Sequence, residues 1–244
     1  MFLREMNPAQ LRQAVEMNWP LLIPAGCIEY HGPHMALGAD TLIAEEICKR
    51  LANRMPVVIA PSFDYGATGY ALSGPEMGTL DIDNLAFESY IKSVLRAFCE
   101  MGFQRIAICI HHQGTEGPLA LAFRKAAAEL MFELPREAKG RGWWGQEYLP
   151  ADRDFRFNRI RVLPTHLPST RLEPHELGGG HAGRFETSLL LGARPDCVDM
   201  DKLKATGLPW FCTEYPSIEA TRELGERALE AMVTAWETEL RTWS

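Results

Sequence analysis

The chain has 244 residues, of which 46 % are hydrophobic and 23 % are charged. A chain of this length buries roughly 70 % of the surface that it exposes when unfolded, so it can form a core without disulfides or a structural metal. It carries 25 basic and 32 acidic residues, a formal net charge of −7, which disfavours nucleic acids and anionic membranes as partners.

Short apolar segments alternate along the chain with segments of helical spacing. The apolar segments lack a polar face, which is typical of strands buried on both sides of a parallel sheet. We therefore predict a three-layer α/β/α fold with a mostly parallel sheet, in one domain over residues 1–244. In chain order, the predicted strands cover residues 20–25, 57–60 and 105–110, and the predicted helices cover residues 40–54, 83–101, 119–130, 188–193 and 217–243.

Residues 135–168 interrupt this alternation. The segment is rich in Arg, Gly, Pro and Trp and contains the pair Trp143 and Trp144. It could be an inserted lid over a functional site or a subunit contact. The two tryptophans could cover a flat ring, or they could pack at an interface. The sequence leaves these alternatives open.

The cysteines are scattered, mostly through apolar segments, and none forms a CxxC pair. This distribution indicates reduced thiols rather than a disulfide framework. The first residues lack the basic start and the apolar stretch of a signal peptide, and no segment approaches the ~20 apolar residues of a membrane span. We therefore expect a cytoplasmic protein. The six cysteines are Cys27, Cys48, Cys99, Cys109, Cys197 and Cys212.

The unusual polar residues follow the predicted strands. Residues 26–40 come after the first strand, residues 62–81 after the second and residues 111–118 after the third. In open α/β sheets, ligands bind at the carboxyl ends of the strands. These loops are therefore the predicted location of a functional site.

The first of these loops carries Glu29 and His31, and Asp40 follows. Residues two apart point to the same side of an extended segment, so Glu29 and His31 could reach one point. Asp40, the predicted N-cap of the next helix, could return a carboxylate to that point. Two carboxylates and an imidazole suit Zn²⁺, Mn²⁺ or Fe²⁺. A polar loop without any ligand is the alternative.

A second cluster occupies residues 178–188, where a glycine run precedes His181 and Glu186. Glycines let the backbone come close to a ligand, and one of these two side chains could bind a metal while the other exchanges protons. An ordinary helix start with an acidic first turn is the alternative.

A third cluster, His111, His112 and Gln113, directly follows the third strand. Adjacent side chains of an extended chain point to opposite sides. We therefore expect at most one of the two histidines to face the site, and a satisfied polar residue in a turn is the alternative for each.

The sequence resembles a known family in these same clusters. Residues 23–34, followed by residues 38–41, are similar to the signature opening of the creatininase (creatinine amidohydrolase) family. The matches run in the family's order from about residue 20 to 227, so nearly the whole chain is covered. A later signature lies at residues 181–183 and 186–188, with weaker landmarks at residues 78–80, 220–221 and 225–226.

The resemblance implies an α/β fold with a two-metal centre, commonly in a hexamer. On this basis Glu29 would bind one metal and His31 the other, and Asp40 would bridge them. Glu186 would complete the set of ligands, and His181 would be the general acid/base beside the substrate. The ions would be Zn²⁺ and/or Mn²⁺, with Fe²⁺ possible, one or two per subunit. They would polarise a carbonyl and lower the pKa of a bridging water.

The third loop departs from the family pattern. The family has Asn-Gly-His there, with His as a metal ligand, and direct alignment places Gln113 at the ligand position. An amide oxygen is a weaker ligand for Zn²⁺ than imidazole. Gln113 could bind a harder ion such as Mn²⁺, His112 could be the ligand after a one-residue shift, or this metal position could be weak or empty. We expect Gln113 to face the site.

The resemblance implies a metal-dependent hydrolase of a small-molecule substrate that opens a cyclic amide or cleaves a related C–N bond, and a homo-oligomer in the family's manner. The altered third loop argues against plain creatinine hydrolysis. One alternative is ring opening of a cyclic polyol ketone, a keto-inositol. Another is a non-catalytic metal-binding protein of the same family, which would require the metal site to be vestigial.

Overall fold

A parallel sheet lies at the centre of the structure. The computed structural model describes residues 1–145, 157–173, 176, 178, 180–209, 211 and 216–243. Over these residues the strands are β1 (Leu21–Ala25), β2 (Val58–Ile59), β3 (Ile106–Ile110) and β4 (Ile160–Pro164). All pairings are parallel and the spatial order is β2-β1-β3-β4. The first three strands confirm the three that the apolar segments predict.

Helices connect and cover these strands. None of the described helices is long and apolar enough to cross a membrane. Short 3₁₀ turns cover Leu3–Glu5, Pro75–Met77, Trp143–Gly145, Pro195–Cys197 and Ser217–Glu219. The α-helices of the described residues are α1 (Pro8–Glu16), α2 (Ala39–Ala52), α3 (Asn84–Glu100), α4 (Pro118–Lys139), α5 (Arg184–Ala193), α6 (Met200–Thr206) and α7 (Arg222–Thr242).

The alternation of side chains along β1 divides the core into two halves. Leu21 and Ile23 point to one face of the sheet and pack against α1, α3 and α4, whereas Leu22 points to the other face and packs against α2, α5 and α7. Every residue of β1 and β3 is buried, because helices cover both faces. The predicted three-layer α/β/α fold is confirmed.

Residues 135–168 contain regular structure where they are described. Helix α4 continues through Pro135 to its end at Lys139, and β4 pairs with β3. Strand β4 is not predicted from the sequence, because only the first of its five residues is buried and Arg161 interrupts its apolar residues. Residues 146–156 of this segment lie outside the described residues.

The two tryptophans of this segment pack in an aromatic cluster. The ring centroids of Trp143 and Phe132 lie 5.9 Å apart, and those of Trp144 and Phe157 lie 4.6 Å apart. Trp144 is 63 % exposed. The packing alternative thus accounts for both side chains in the described structure.

The strand order reverses between β1 and β3. From β1 the chain moves to β2 on one side and then crosses to β3 and β4 on the other. In parallel sheets such a reversal leaves a crevice outside the carboxyl ends of the strands, where ligands bind. The loops after β1 and β3 therefore meet at this crevice.

Candidate metal centre

Gly26 brings the end of β1 against the start of α2. A Cβ at Gly26 would lie 2.6 Å from the backbone nitrogen of Thr41 and 2.7 Å from the Cβ of Asp40, so only glycine permits this approach. Gly38 is the N-cap of α2, and Asp40 lies in its first turn. The prediction that Asp40 caps the helix is wrong, because its carboxylate contacts imidazoles across the crevice.

Asp40 lies at the middle of a buried polar cluster. Its Oδ1 is 3.3 Å from His31 Nε2, and its Oδ2 is 2.8 Å from His112 Nδ1. Asp40 is 1 % exposed, His31 0 % and His112 8 %. These contacts are therefore shielded from water, and the low dielectric of the interior strengthens them. The two oxygens of one carboxylate thus face different partners.

Two groups of possible metal ligands share this carboxylate, and within each group the donor atoms lie within 4.8 Å of one another. The first group consists of Cys27, Glu29, Asp40 and His112. The second group consists of His31, Asp40 and Glu186. The predicted ligands Glu29, His31, Asp40 and Glu186 are therefore brought together by the fold.

The orientation of His31 is fixed by its backbone contact. Its Nδ1 lies 2.9 Å from the carbonyl oxygen of Glu29. A carbonyl oxygen can only accept, so Nδ1 carries a hydrogen and donates it. Nε2 then faces Asp40 and also lies 3.8 Å from Glu186 Oε2. Such a contact at one ring nitrogen is the usual way in which a metal-binding imidazole is oriented.

His181 lies on top of His31. The two rings stack with centroids 4.2 Å apart. His181 Nε2 lies 2.7 Å from the carbonyl oxygen of Tyr30 and donates to it, while Nδ1 lies 3.8 Å from Glu29 Oε2. His181 thus presents Nδ1 to the cluster, from the loop that precedes α5.

Both histidines of the third loop reach the site, so the expectation of at most one is wrong. His111 Nε2 lies 3.2 Å from Glu186 Oε1, and its Nδ1 lies 2.7 Å from Thr165 Oγ1. His112 reaches Asp40 and lies 3.4 Å from Glu29 Oε2. The chain bends at His112, so the alternation of an extended strand does not continue.

Gln113 lines the cavity, as expected, but lies beside the cluster of candidate ligands rather than in it. Its φ is +50°, a left-handed conformation that turns the side chain away from the direction a strand would give. Its Nε2 donates to the carbonyl oxygen of Thr68 at 3.4 Å. The structure thus places His112 where the alignment had placed Gln113, and the one-residue shift is the alternative that the geometry favours.

The charge of the cluster follows from these contacts. Burial disfavours the imidazolium form of His31, but the carboxylates of Asp40 and Glu186 outweigh this and raise its pKa to about 10. Burial also opposes ionisation of Glu186, but His31 and His111 lower its pKa to about 2. Burial raises the pKa of Glu29. Without a metal, protonated imidazole therefore balances buried carboxylate.

The donor chemistry fits a divalent cation. Buried carboxylates are found paired or bound to metals, and no lysine or arginine in the described part of the chain pairs with Glu29, Asp40 or Glu186. Carboxylate and imidazole together suit Zn²⁺ and Mn²⁺. A cation bound here would replace the protons that now offset these carboxylates.

The cluster forms the floor of a cavity of about 500 Å³. Glu29, Asp40 and Glu186 line it together with His166, which the sequence analysis does not single out. The described residues that line this cavity include neither Trp143 nor Trp144. A volume of this size is typical of a small-molecule site.

The sequence assigns no role to Cys27, and it places His111 in the third cluster without predicting its contacts. Cys27 precedes Glu29 by two positions and His31 by four, so the period-two spacing that singles out those two residues applies to it as well. The contacts of His111 could not be predicted, since its partners Thr165 and Glu186 are distant in the chain.

The fold and this site define an α/β protein with a candidate divalent-metal centre. A family model described as creatininase (creatinine amidohydrolase) matches residues 4–240. The chain belongs to the creatininase family, which confirms the resemblance seen in its sequence.

Three curated relatives are similar over much of the chain. The creatinine amidohydrolase of Pseudomonas putida is 26 % identical over 188 residues, 75 % of this chain and 67 % of that protein. The 3-dehydro-scyllo-inosose hydrolase of Thermotoga maritima is 27 % identical over 143 residues, 59 % of this chain and 45 % of that protein. The mycofactocin precursor peptide peptidase of Mycolicibacterium smegmatis is 30 % identical over 200 residues, 80 % of this chain and 64 % of that protein. The chain thus spans 45 % to 67 % of these relatives' own lengths.

Solved structures share the fold. A tryptophan-to-alanine variant of creatininase has a TM-score of 0.77 at 23 % identity, and it covers 98 % of this chain and 97 % of that one. A manganese creatininase has a TM-score of 0.73 at 24 % identity, with the same coverage. A Zn–Zn variant of creatininase has a TM-score of 0.73 at 24 % identity, over 98 % of this chain and 96 % of that one.

Proposed function

We propose that this chain is a divalent-metal-dependent amidohydrolase that cleaves the C–N bond of a small amide, in the simplest case a cyclic one. The observation that carries the proposal is the pair of ligand groups that share Asp40 on the floor of a cavity, with His181 beside them. Two of the similar relatives, a creatinine amidohydrolase and a peptide peptidase, are named for cleavage of amide bonds.

The ligand set of the proposal follows the geometry. Glu29, Asp40 and His112 would hold one ion, and His31, Asp40 and Glu186 would hold the other; the manganese and Zn–Zn creatininases of the same fold support Mn²⁺ or Zn²⁺. Divalent ions bound there would polarise the substrate carbonyl and acidify water. With His112 in the ligand set, the third loop no longer argues against creatinine as a substrate.

His111 positions a ligand rather than binding one. Ionised Glu186 can only accept, so His111 Nε2 donates to its Oε1. The other nitrogen, Nδ1, then accepts from the Thr165 hydroxyl. This relay holds one oxygen of Glu186 and leaves the other directed toward His31.

His181 is suited to move the proton. Its Nε2 hydrogen is committed to the Tyr30 carbonyl, so neutral His181 has its basic lone pair on Nδ1, on the side of the cluster. Nδ1 can take a proton from the attacking water and return it to the departing amine, as general base and then general acid. The amide C–N bond breaks as the nitrogen gains that proton.

Ring opening of a cyclic polyol ketone is the second candidate. The similar inosose hydrolase supports it, as do the polar side chains of His111, Thr165 and His166 in the cavity wall, which can bond to hydroxyl groups. Carbonyl polarisation and water attack would serve a ketone as they serve an amide.

The test combines metal content with a substrate panel. We expect purified protein to hold at least about one equivalent of transition metal per chain, since no lysine or arginine of the described residues pairs with the buried carboxylates. We also expect it to hydrolyse creatinine, another cyclic amide or a short peptide. Turnover of a keto-inositol alone would establish the second candidate. Less than one equivalent of metal and no turnover would support the non-catalytic alternative.

Asp40→Ala should abolish metal binding and activity together, because one carboxylate serves both ligand groups. Metal analysis and the panel assay check this. Asp201→Ala is the matched control, since the Asp201 side chain is 94 % exposed and should leave both unchanged. Full metal content in the Asp40 variant would contradict the assignment.

A further inference from the structure

Cys27 lies in the cluster and within the first signature (residues 23–34), although the resemblance and the proposed mechanism assign it no role. Its side chain is 0 % exposed. Its Sγ lies 3.1 Å from Asp40 Oδ2, 3.2 Å from His112 Nδ1 and 3.9 Å from Glu29 Oε2. The sulfur thus touches each of the three side chains that would hold one ion.

The distances from Cys27 and His112 to the other donors lie within about 0.5 Å of those around a tetrahedral ion. With metal–ligand bonds of about 2.0–2.1 Å to N and O and about 2.3 Å to S, donors lie roughly 3.3 Å apart for N and O pairs and roughly 3.6 Å apart for pairs with sulfur. The nitrogen of His112 lies 2.8 Å and 3.4 Å from its two carboxylate partners. The three sulfur distances of 3.1 to 3.9 Å bracket the second value.

We propose that Cys27 is a thiolate ligand of the ion held by Glu29, Asp40 and His112, so that this position selects thiophilic cations such as Zn²⁺ or Cd²⁺ over Mn²⁺. The inference rests on the proposed metal-dependent function and adds a soft donor to it. Thiolate favours Zn²⁺ and softer ions, whereas carboxylate and water suit Mn²⁺ equally well. On ion binding the thiol proton passes to solvent, because only the thiolate coordinates.

The two candidate metal positions then differ in their number of protein ligands. Four protein ligands complete a tetrahedral site, and a catalytic site usually has three with one position open. The group with Cys27 has four donors and the group with His31 has three. The group of His31, Asp40 and Glu186 would therefore leave a position open for substrate, and the group with Cys27 would hold the shared carboxylate of Asp40 in place.

A hydrogen bond from the Cys27 thiol to Asp40 is the competing role. A serine hydroxyl has a similar size and makes the same hydrogen bond, but it is not a soft ligand. Cys27→Ser therefore separates the two roles, and Cys99→Ser is its matched control, because Cys99 is also a buried thiol but lies outside the cluster.

X-ray absorption on the zinc-loaded wild-type protein is the direct test and needs no variant. We expect a sulfur scatterer at about 2.3 Å from zinc. A shell of nitrogen and oxygen alone, with zinc bound in stoichiometric amount, would overturn the thiolate while leaving the proposed function intact. Failure to bind zinc at all would instead contradict both the thiolate ligand and the proposed metal-dependent function.

Cobalt substitution and competition provide the second readout. Co²⁺-loaded wild type and Cys99→Ser should show sulfur-to-cobalt charge-transfer absorption, and Cys27→Ser should lose it. Cys27→Ser should also lower Cd²⁺ affinity relative to Mn²⁺ affinity by about tenfold or more, which corresponds to about 1.4 kcal/mol. Unchanged absorption and an unchanged Cd²⁺/Mn²⁺ ratio in Cys27→Ser would assign the thiol to hydrogen bonding only.

Discussion

At the scale of single residues, the tautomer of His181 decides its role. The Tyr30 carbonyl takes the Nε2 hydrogen, which leaves Nδ1 to exchange a proton. We expect His181→Ala to keep its metal and to lose about 10²- to 10⁴-fold in kcat, the usual contribution of a general acid/base. Metal analysis and steady-state kinetics on the same sample check this. Loss of metal in the variant would make His181 a ligand instead, a role that its distance to Glu29 also permits.

His31 links metal binding to pH. Its pKa is raised to about 10 in the absence of a metal, and an ion needs the unprotonated Nε2. Binding at pH 7.5 should therefore release at least one proton, and metal affinity should rise with pH until about 10. Calorimetry in buffers of different ionisation enthalpy measures the release. A binding enthalpy that does not depend on the buffer would contradict the prediction.

The sequence identifies most of the candidate ligands but places one of them wrongly. Glu29, His31 and Asp40 follow from strand periodicity and a helix start. His112 does not, because the bend at His112 and the left-handed backbone of Gln113 depend on tertiary contacts. A shift of one residue in a loop exchanges the side chain that faces the site.

At the scale of elements, the backbones of α5 and α7 approach so closely that only a glycine fits at the contact. A Cβ on Gly225 would lie 1.7 Å from the carbonyl oxygen of Ser188. Helix α5 also begins two residues before Glu186, so the fit of these helices sets the position of a candidate ligand.

Gly225→Ala should therefore lower the free energy of unfolding by at least about 1–3 kcal/mol, the cost of overpacking a core. Urea denaturation checks this through the midpoint. Gly114→Ala is the control, because a Cβ there meets nothing within 4 Å. Equal midpoints for Gly225→Ala and wild type would mean that α5 and α7 can move apart to admit the methyl group without a cost in stability.

The elements that are not predicted from the sequence, β4 and α1, are missed for physical reasons. Strand β4 is half-exposed, and Arg161 interrupts its apolar residues. In the N-terminal helix α1, only Ala14 is buried, so the core dictates little of its sequence. The capping box of Asn7 and Gln10 and the proline at Pro8 are the remaining sequence signals for this helix. Strands with every residue buried and long amphipathic helices are predicted well, since the core dictates their sequence.

At the scale of the whole molecule, the metal should contribute to stability. A ligand at a hundred times its Kd adds about 2.7 kcal/mol, and 1 kcal/mol shifts Tm by about 2–4 °C in a protein of this size. Chelation should thus lower Tm by roughly 5–11 °C, and added Zn²⁺ or Mn²⁺ should restore it. Calorimetric scans with and without chelator check this, and identical Tm values would indicate that no ion binds the folded state.

The parallel sheet with its central β1 and β3 also sets the order of events when the protein forms. Cys27 and His112 are 85 positions apart, and His111 and Glu186 are 75 apart. No local piece of the described chain holds a complete ligand group, so the ion lacks part of its ligand set until β3 has joined β1 and α5 has docked. Interactions that appear after the transition state slow unfolding and leave the refolding rate unchanged. The ion would therefore stabilise the folded state once it has formed and would not help to nucleate folding.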